Sequence, residues 1–166
     1  TYALFHGTIG YTVECGENNE ASVTMGKYGL IGHTAYVAEN KNDLYLNQLE
    51  FFRRALNNEE SPETEKWFVT QDNQVEENFR EKDEYGKFYP EYYVIPTDAA
   101  SQRDIADAYF MQEYFIRNGV QVEKLTQDVT VNGVTYKAGA FVIDMHQISR
   151  SFANAVLYKG KIVKNW

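Results

Sequence analysis

The chain has 166 residues, of which 43% are hydrophobic and 15% aromatic, and its formal net charge at pH 7 is −8. This composition is typical of a globular protein with one compact domain or two small ones. An acidic chain without a continuous basic face does not release phosphate counterions, so we expect no nucleic-acid partner. No apolar run approaches the roughly 18 to 20 residues of a transmembrane helix, so we expect no membrane span.

The first 57 residues are predicted to form short strands followed by a long helical region. Residues 1–16 alternate as in one or two short strands, which places Gly10, Thr12 and Glu14 on one face. After the loop "GENNEAS", residues 26–57 repeat apolar side chains at helical spacing. The polar stretch "ENKND" interrupts this pattern, which predicts two helices or one kinked helix.

The composition changes after residue 57. Residues 58–91 are densely acidic and poor in aliphatic side chains, and we interpret them as a connector between two domains. Residues 92–126 then predict a right-handed, parallel β-α-β unit made of "YYVIP", a helix and "VQVEKLT". Ser101 and Asp104 have the spacing of a capping box at the start of that helix, and Gly119 follows its end.

The last part of the chain predicts a hairpin and a short helix. "VTVNGVTYKAGAFVID" contains Asn132 and Gly133, the pair that favours a two-residue hairpin turn. A final helix is predicted to start at Ser151. Asp98 and Asp144 lie near strand ends, where acidic side chains either bind a ligand or are simply solvated.

The usual catalytic and metal-binding patterns are weak in this sequence. His6, His33 and His146 have no second histidine or carboxylate at a zinc-binding spacing, which favours structural or surface roles. Cys15 is the only cysteine, so the chain has no intrachain disulfide. Cys15 as a nucleophile, with His6 or His33 as its base, requires a sharp turn and a positioned imidazole that the sequence does not indicate.

The order of segments resembles the C-terminal part of a bacterial zinc carboxypeptidase of the carboxypeptidase A-like family. The run "GTIGYTVECGENNEAS", with a Tyr-x-x-Glu pattern from Tyr11 to Glu14, precedes a helix containing "YVAENKNDLYLNQLEFFRR". The section from Tyr92 to Gly160 is similar to the domain that trails the catalytic domain in some of these proteins. The resemblance implies an α/β fold: the end of a mixed-sheet catalytic domain in residues 1–57, the connector 58–91, and an accessory α/β domain in residues 92–166.

This resemblance also implies roles for two residues on the first strand. Glu14 corresponds to the family's catalytic glutamate, which acts as general base and then general acid beside a zinc-activated water, and Thr12 lines the pocket for the terminal side chain of a peptide substrate. The family's HxxE zinc motif and its carboxylate-binding arginines are absent from this sequence, and Arg53 and Arg54 are poor substitutes for those arginines. We therefore expect a piece of a longer protein, which alone binds no zinc and is inactive.

Two alternatives remain open. The chain is a non-catalytic binding module with Glu14 solvated at a sheet edge, or a hydrolase that uses Cys15. The peptidase hypothesis further predicts that the helix in residues 26–57 has an apolar face without its partner sheet, through which the chain forms a homodimer. Secretion is suggested by the family resemblance and by nothing in the residues themselves.

Overall fold

The computed structural model describes residues 2–10, 15–61 and 86–158, and the chain divides into two compact units, residues 1–52 and 53–166. The helices are α1 (Tyr2–Phe5), α2 (Glu20–Leu56), α3 (Ile105–Arg117) and α4 (Arg150–Leu157). The strands are β1 (Tyr92–Ile95), β2 (Glu123–Lys124), β3 (Val129–Val131), β4 (Val134–Tyr136) and β5 (Phe141–Asp144). The protein therefore combines helices with small antiparallel sheets, in agreement with the coarse α/β class. The predicted domain limits and the carboxypeptidase-like sheet stay predictions.

The first element is a helical turn, so the strand predicted over residues 2–5 is wrong. The amide of Thr8 donates to the carbonyl of Ala3 at 2.9 Å, and the amide of Gly7 donates to the carbonyl of Leu4 at 3.1 Å. These two bonds form a Schellman motif, which requires the positive φ of +76° that Gly7 adopts. A segment of four residues is too short to distinguish the period of a strand from that of a helix. The helical conformation is instead indicated by Gly7, which ends it.

Helix α2 confirms the predicted long helix with a kink. Asn40 has φ −108° and ψ 16° inside α2, and its Nδ2 donates to the carbonyl of Tyr36 at 2.9 Å. At the start of the helix the side chain of Asn19 accepts the amide of Ser22 at 2.9 Å, as an N-cap residue does. This cap explains why α2 begins at Glu20, several residues before the apolar pattern becomes regular.

The sheet of the second unit has the order β1-β5-β2, and both outer strands are antiparallel to β5. Strands β1 and β2 run in the same direction, as predicted for the β-α-β unit, but they do not pair with each other, because β5 lies between them. Strand β5 is central because Phe141 and Ile143 are 5% and 0% exposed, the most complete burial of any strand in the described residues. The chain therefore forms a β-α-β crossover with a later strand inserted between its two members.

The two faces of this sheet have different surroundings. Tyr93 and Ile143 lie on the face that packs against α3 and α4, where the Tyr93 hydroxyl donates to Oδ1 of the buried Asn154 at 2.8 Å. The ring of Phe141 on the same face lies 5.2 Å from the ring of Tyr109 on α3. Side chains one position away along each strand point to the opposite face. That opposite face carries the cleft described below.

The ends of α3 correct one predicted cap and confirm another. The N-cap is Asp104, whose side chain accepts the amide of Ala106 at 2.8 Å. Ser101 is not a cap, because its hydroxyl donates to Asp98 at 3.0 Å within the preceding turn. At the other end Gly119 has φ +78°, the left-handed conformation that the sequence predicted.

The predicted hairpin forms, but it is shorter than expected. Asn132 (φ 50°) and Gly133 (φ 78°) occupy the turn between β3 and β4, and Thr130 and Thr135 share a hydrogen bond of 2.9 Å across the strands. The segment "FVID" leaves this hairpin and becomes β5 of the other sheet. Its buried Phe141 and Ile143 reach the core from that position.

Candidate functional site

The two residues that the sequence assigns to catalysis, Thr12 and Glu14, lie outside the residues that the structure describes. Their roles therefore stay predictions. The neighbouring Cys15 is exposed, and its thiol donates to the carbonyl of Ser22 at 3.5 Å. No histidine nitrogen is a partner of this thiol within the described ranges, so the geometry does not support Cys15 as a nucleophile.

The histidines do not converge on a metal site. Nδ1 of His6 is 3.0 Å from the carbonyl oxygen of Tyr2, and the two rings lie 4.4 Å apart, which is a local role within the first turn. His33 is half-buried on α2. Within residues 2–10, 15–61 and 86–158, no group of three His, Cys, Asp or Glu side chains is placed to hold a metal ion. The described residues thus do not fit a zinc ion.

A cleft of about 680 Å³ lies over the sheet face opposite to α3 and α4. Tyr92, Val94 and Val142 form its floor, and Val131 and Tyr136 of the hairpin form the opposite wall. The lining is mainly apolar, and it includes two charged residues, Lys87 and Glu91, which lie four positions apart just before β1. A concave apolar surface of this size with few polar groups is typical of a binding site.

The charged groups beside the cleft form one cluster at the start of β1 and the end of β5. Lys87 and Glu91 form an ion pair, and Oε2 of Glu91 is 3.5 Å from Nε2 of His146. The hydrogen bond from Lys87 holds the pKa of Glu91 below its ordinary value, and the charges of Lys87 and His146 act in the same direction. Asp144 accepts both the amide and Nδ1 of His146 at 2.8 Å, so its carboxylate orients the imidazole.

Asp98, the other strand-end carboxylate singled out by the sequence, has a local role. Its Oδ1 accepts the amides of Ala100 and Ser101, both at 3.1 Å, in addition to the Ser101 hydroxyl. These bonds hold the turn between β1 and α3, as aspartates often do in turns. The structure does not bring Asp98 to the cleft.

A buried arginine holds the two chain segments that flank residues 62–85. Arg150 is 4% exposed and donates to Oδ1 of Asn58 at 3.1 Å and to the carbonyl of Glu59 at 2.9 Å. Its guanidinium stacks on the ring of Tyr89 at 4.1 Å, and Asn58 donates in turn to the carbonyl of Pro90 at 3.1 Å. Burial lowers the pKa of Arg150, although a guanidinium remains charged at any physiological pH.

The sequence analysis missed this group because a buried arginine has no periodic signature. The buried polar residues that surround α4 are Gln147, Ser149, Arg150, Ser151 and Asn154. They lie in the run "MHQISRSFANA", which contains the turn after β5 and the first residues of α4. Polar and apolar residues are mixed there without a single period. One sequence feature could have indicated the group: the same segment contains many polar residues and also the apolar Met145 and Phe152, which are buried in the core.

Searches for related proteins return no match. No protein-family model, no curated protein and no solved structure matches the chain. Among the described helices, none is long and apolar enough to cross a membrane.

Proposed function

We propose that the chain is the C-terminal part of a zinc metallocarboxypeptidase similar to the carboxypeptidase A-like family. Glu14 is its general base and acid, Thr12 lines the pocket for the terminal side chain of the peptide substrate, and the second unit is an accessory domain. The zinc ligands of that family are not among the residues of this sequence, so the chain alone is expected to be inactive.

The observation that carries this proposal is the surface of α2. From Ala21 to Ala38 the helix has a single charged residue, Lys27. Seven large apolar side chains in this stretch are exposed: Val23, Met25, Tyr28, Leu30, Ile31, Tyr36 and Val37. Successive residues are 100° apart around a helix, so these side chains point in all directions.

A helix that is apolar around its circumference is normally buried inside a larger protein. The exposed surface of α2 is therefore suited to packing against a further body, and the sheet of a catalytic domain meets this requirement. The sequence predicted one apolar face, and the exposed apolar surface extends around the whole helix. The helix begins at Glu20, six residues after Glu14. A homodimer through α2 would cover the same surface and is the competing occupant.

The chemistry proposed for Glu14 follows from its residue type. A carboxylate accepts the proton of the attacking water and then donates that proton to the nitrogen of the leaving amine. A catalytic zinc supplies the acidity of the water. Replacement of Glu14 by Gln keeps the shape of the side chain but removes its ability to accept a proton.

The test compares two substitutions in the protein expressed from its whole reading frame. We expect Glu14→Gln to lower kcat on an N-acylated dipeptide with a free C-terminal carboxylate by roughly 10²- to 10⁴-fold, because general acid–base catalysis contributes about that factor. The bound zinc should be retained. Glu17→Gln is the matched control, since Glu17 is exposed and its carboxylate accepts from Nδ2 of Asn19 at 2.9 Å. Equal activity of the two variants would contradict the proposed role of Glu14.

A non-catalytic binding module is the second candidate function, and the 680 Å³ cleft favours it. Such a module would bind its ligand through the second unit whether or not the parent protein binds zinc.

A further inference from the structure

We propose that the outer edge of β1 binds an extended peptide by strand addition, with alternate side chains of the peptide entering the neighbouring cleft. The site lies wholly within the second unit. It does not depend on Glu14, so it stands or falls separately from the peptidase proposal.

The hydrogen-bond pattern of β1 leaves one set of backbone groups directed outward. The amide of Met145 donates to the carbonyl of Glu91 at 3.0 Å, which makes these two residues a hydrogen-bonded pair of the antiparallel ladder. In such a ladder every second residue bonds to the partner strand, so Tyr93 and Ile95 bond to β5. The amides and carbonyls of Tyr92 and Val94 therefore point away from β5, toward the outer edge.

The outer edge of β1 has no further strand within the part of the chain that the structure describes. Two amides and two carbonyls of Tyr92 and Val94 are thus presented at the spacing of a β-ladder. An edge of this kind is the template to which an added strand pairs. Pro96 follows β1 and limits the edge to these four residues, so a short peptide segment fills it.

The side chains of the same two residues connect this edge to the cleft. Tyr92 and Val94 both line the cleft, together with Val142 of the central strand. A peptide residue opposite Tyr92 or Val94 in an antiparallel pair projects its side chain to the same side of the sheet. Backbone pairing and side-chain insertion are therefore satisfied by one bound conformation.

The electrostatics of the cleft favour an uncharged, apolar segment as the occupant. The charged lining residues, Lys87 and Glu91, are paired with each other. The remaining lining is apolar apart from Asn132 and the tyrosine hydroxyls, so the cleft offers no net charge to an acidic or basic ligand. Only a peptide backbone also supplies alternating donors and acceptors for the edge. This chemistry identifies the ligand as an extended peptide with small or β-branched apolar side chains at every second position.

The probe is the peptide acetyl-Thr-Val-Thr-Val-Thr-amide, whose blocked ends exclude recognition of a terminal carboxylate. With its valines opposite Tyr92 and Val94, the valine amides bond to β1 and the threonine amides point away. We expect methylation of the two valine nitrogens to weaken binding at least tenfold, and methylation of the inner threonine nitrogen to change it less than threefold. On binding, hydrogen exchange should slow at the amides of Tyr92 and Val94.

A variant of the full chain gives a second test. Val94→Pro removes an outward amide that is not part of the β1–β5 ladder, and proline is compatible with an edge strand at such a position. We expect Val94→Pro to weaken peptide binding at least tenfold, and the control Val94→Ala, which retains the amide, to weaken it about threefold. If Val94→Pro fails to fold, as judged by circular dichroism, the methylated peptides still decide the question on the unaltered chain.

Several outcomes would overturn the inference. Equal binding of all the peptides, or no binding of the unmethylated one, would show that the edge does not take a peptide strand. A dimer that Val94→Pro converts to a monomer, in a chain that does not bind the probe, would identify a second copy as the occupant. A whole protein that contains no zinc and has no peptidase activity would refute the peptidase proposal and leave this result unchanged.

Discussion

Replacing Arg150 with methionine is predicted to destabilise the second unit by about 2 kcal/mol. The substitution keeps an unbranched apolar side chain in place of the aliphatic part of the arginine, in a position that is 4% exposed, and it removes the guanidinium. What is lost is the connection from α4 to Asn58, Glu59 and Tyr89.

The magnitude follows from the contacts. Two hydrogen bonds from a charged donor contribute about 1.5 kcal/mol each. Stacking of the guanidinium on Tyr89 adds about 1 kcal/mol. Methionine also avoids the cost of desolvating a buried charge, which offsets about 2 kcal/mol of this loss. Nε of the guanidinium has no hydrogen-bond partner among the described residues. The net loss is therefore smaller than the hydrogen bonds alone would indicate.

The assay is urea unfolding followed by circular dichroism, with Arg117→Met as the matched control. Arg117 lies at the exposed end of α3, where its side chain is 73% exposed and pairs with Glu113. Loss of an exposed ion pair of this kind changes the free energy of unfolding by less than about 0.5 kcal/mol. A double-mutant cycle with Asn58→Ala should give a coupling of about 1 kcal/mol. Unchanged or increased stability of Arg150→Met would show that desolvation outweighs these contacts and would refute the reasoning.

Three further predictions concern Tyr93, Gly7 and Glu91. Tyr93→Phe should lower the free energy of unfolding by about 1.5 kcal/mol in urea titrations, because it leaves a buried asparagine oxygen without its donor, while Tyr92→Phe, 55% exposed, should have little effect. Gly7→Ala should cost about 2 kcal/mol by thermal unfolding, because φ is +76° and a Cβ would lie 2.5 Å from the ring of Phe52. Gly10→Ala is the control, since its Cβ would meet no atom of the described residues within 4 Å. Since the pKa of Glu91 is depressed in the folded state, its contribution to the free energy of unfolding is present above the ordinary glutamate pKa of about 4.5 and is lost as the pH falls through the folded value. Glu91→Gln should therefore flatten the acid side of the free energy of unfolding plotted against pH, most clearly at low salt.

The local signals in the sequence predicted turns and helix ends in both units. The turn at Asn132 and Gly133, the end of α3 at Gly119 and the interruption of α2 near Asn40 all follow from side-chain or glycine chemistry within a few residues. The sequence predicted Ser101 as the N-cap of α3, three residues before the actual N-cap, Asp104. The hydroxyl of Ser101 donates to Asp98 and so does not cap the helix. Competition between two such local bonds is not visible in residue types alone.

The arrangement of strands and the cleft could not be predicted, because both depend on contacts distant in sequence. Strand β5 is separated from β1 by more than forty residues, yet its burial determines that it lies beside β1. The connection from Arg150 to Asn58 spans 92 positions and leaves no pattern in either segment. Sequence alone also did not indicate that the outward groups of Tyr92 and Val94 adjoin an apolar cleft.

The most direct test of the peptidase proposal is the zinc content of the protein expressed from its whole reading frame and dialysed against metal-free buffer. The proposal predicts about one zinc per chain, as for a catalytic site with three protein ligands. It also predicts that Glu14→Gln retains this zinc, because Glu14 acts on the proton and is not a ligand. A protein without zinc would contradict the proposal, and the binding module would then be the better description of the chain.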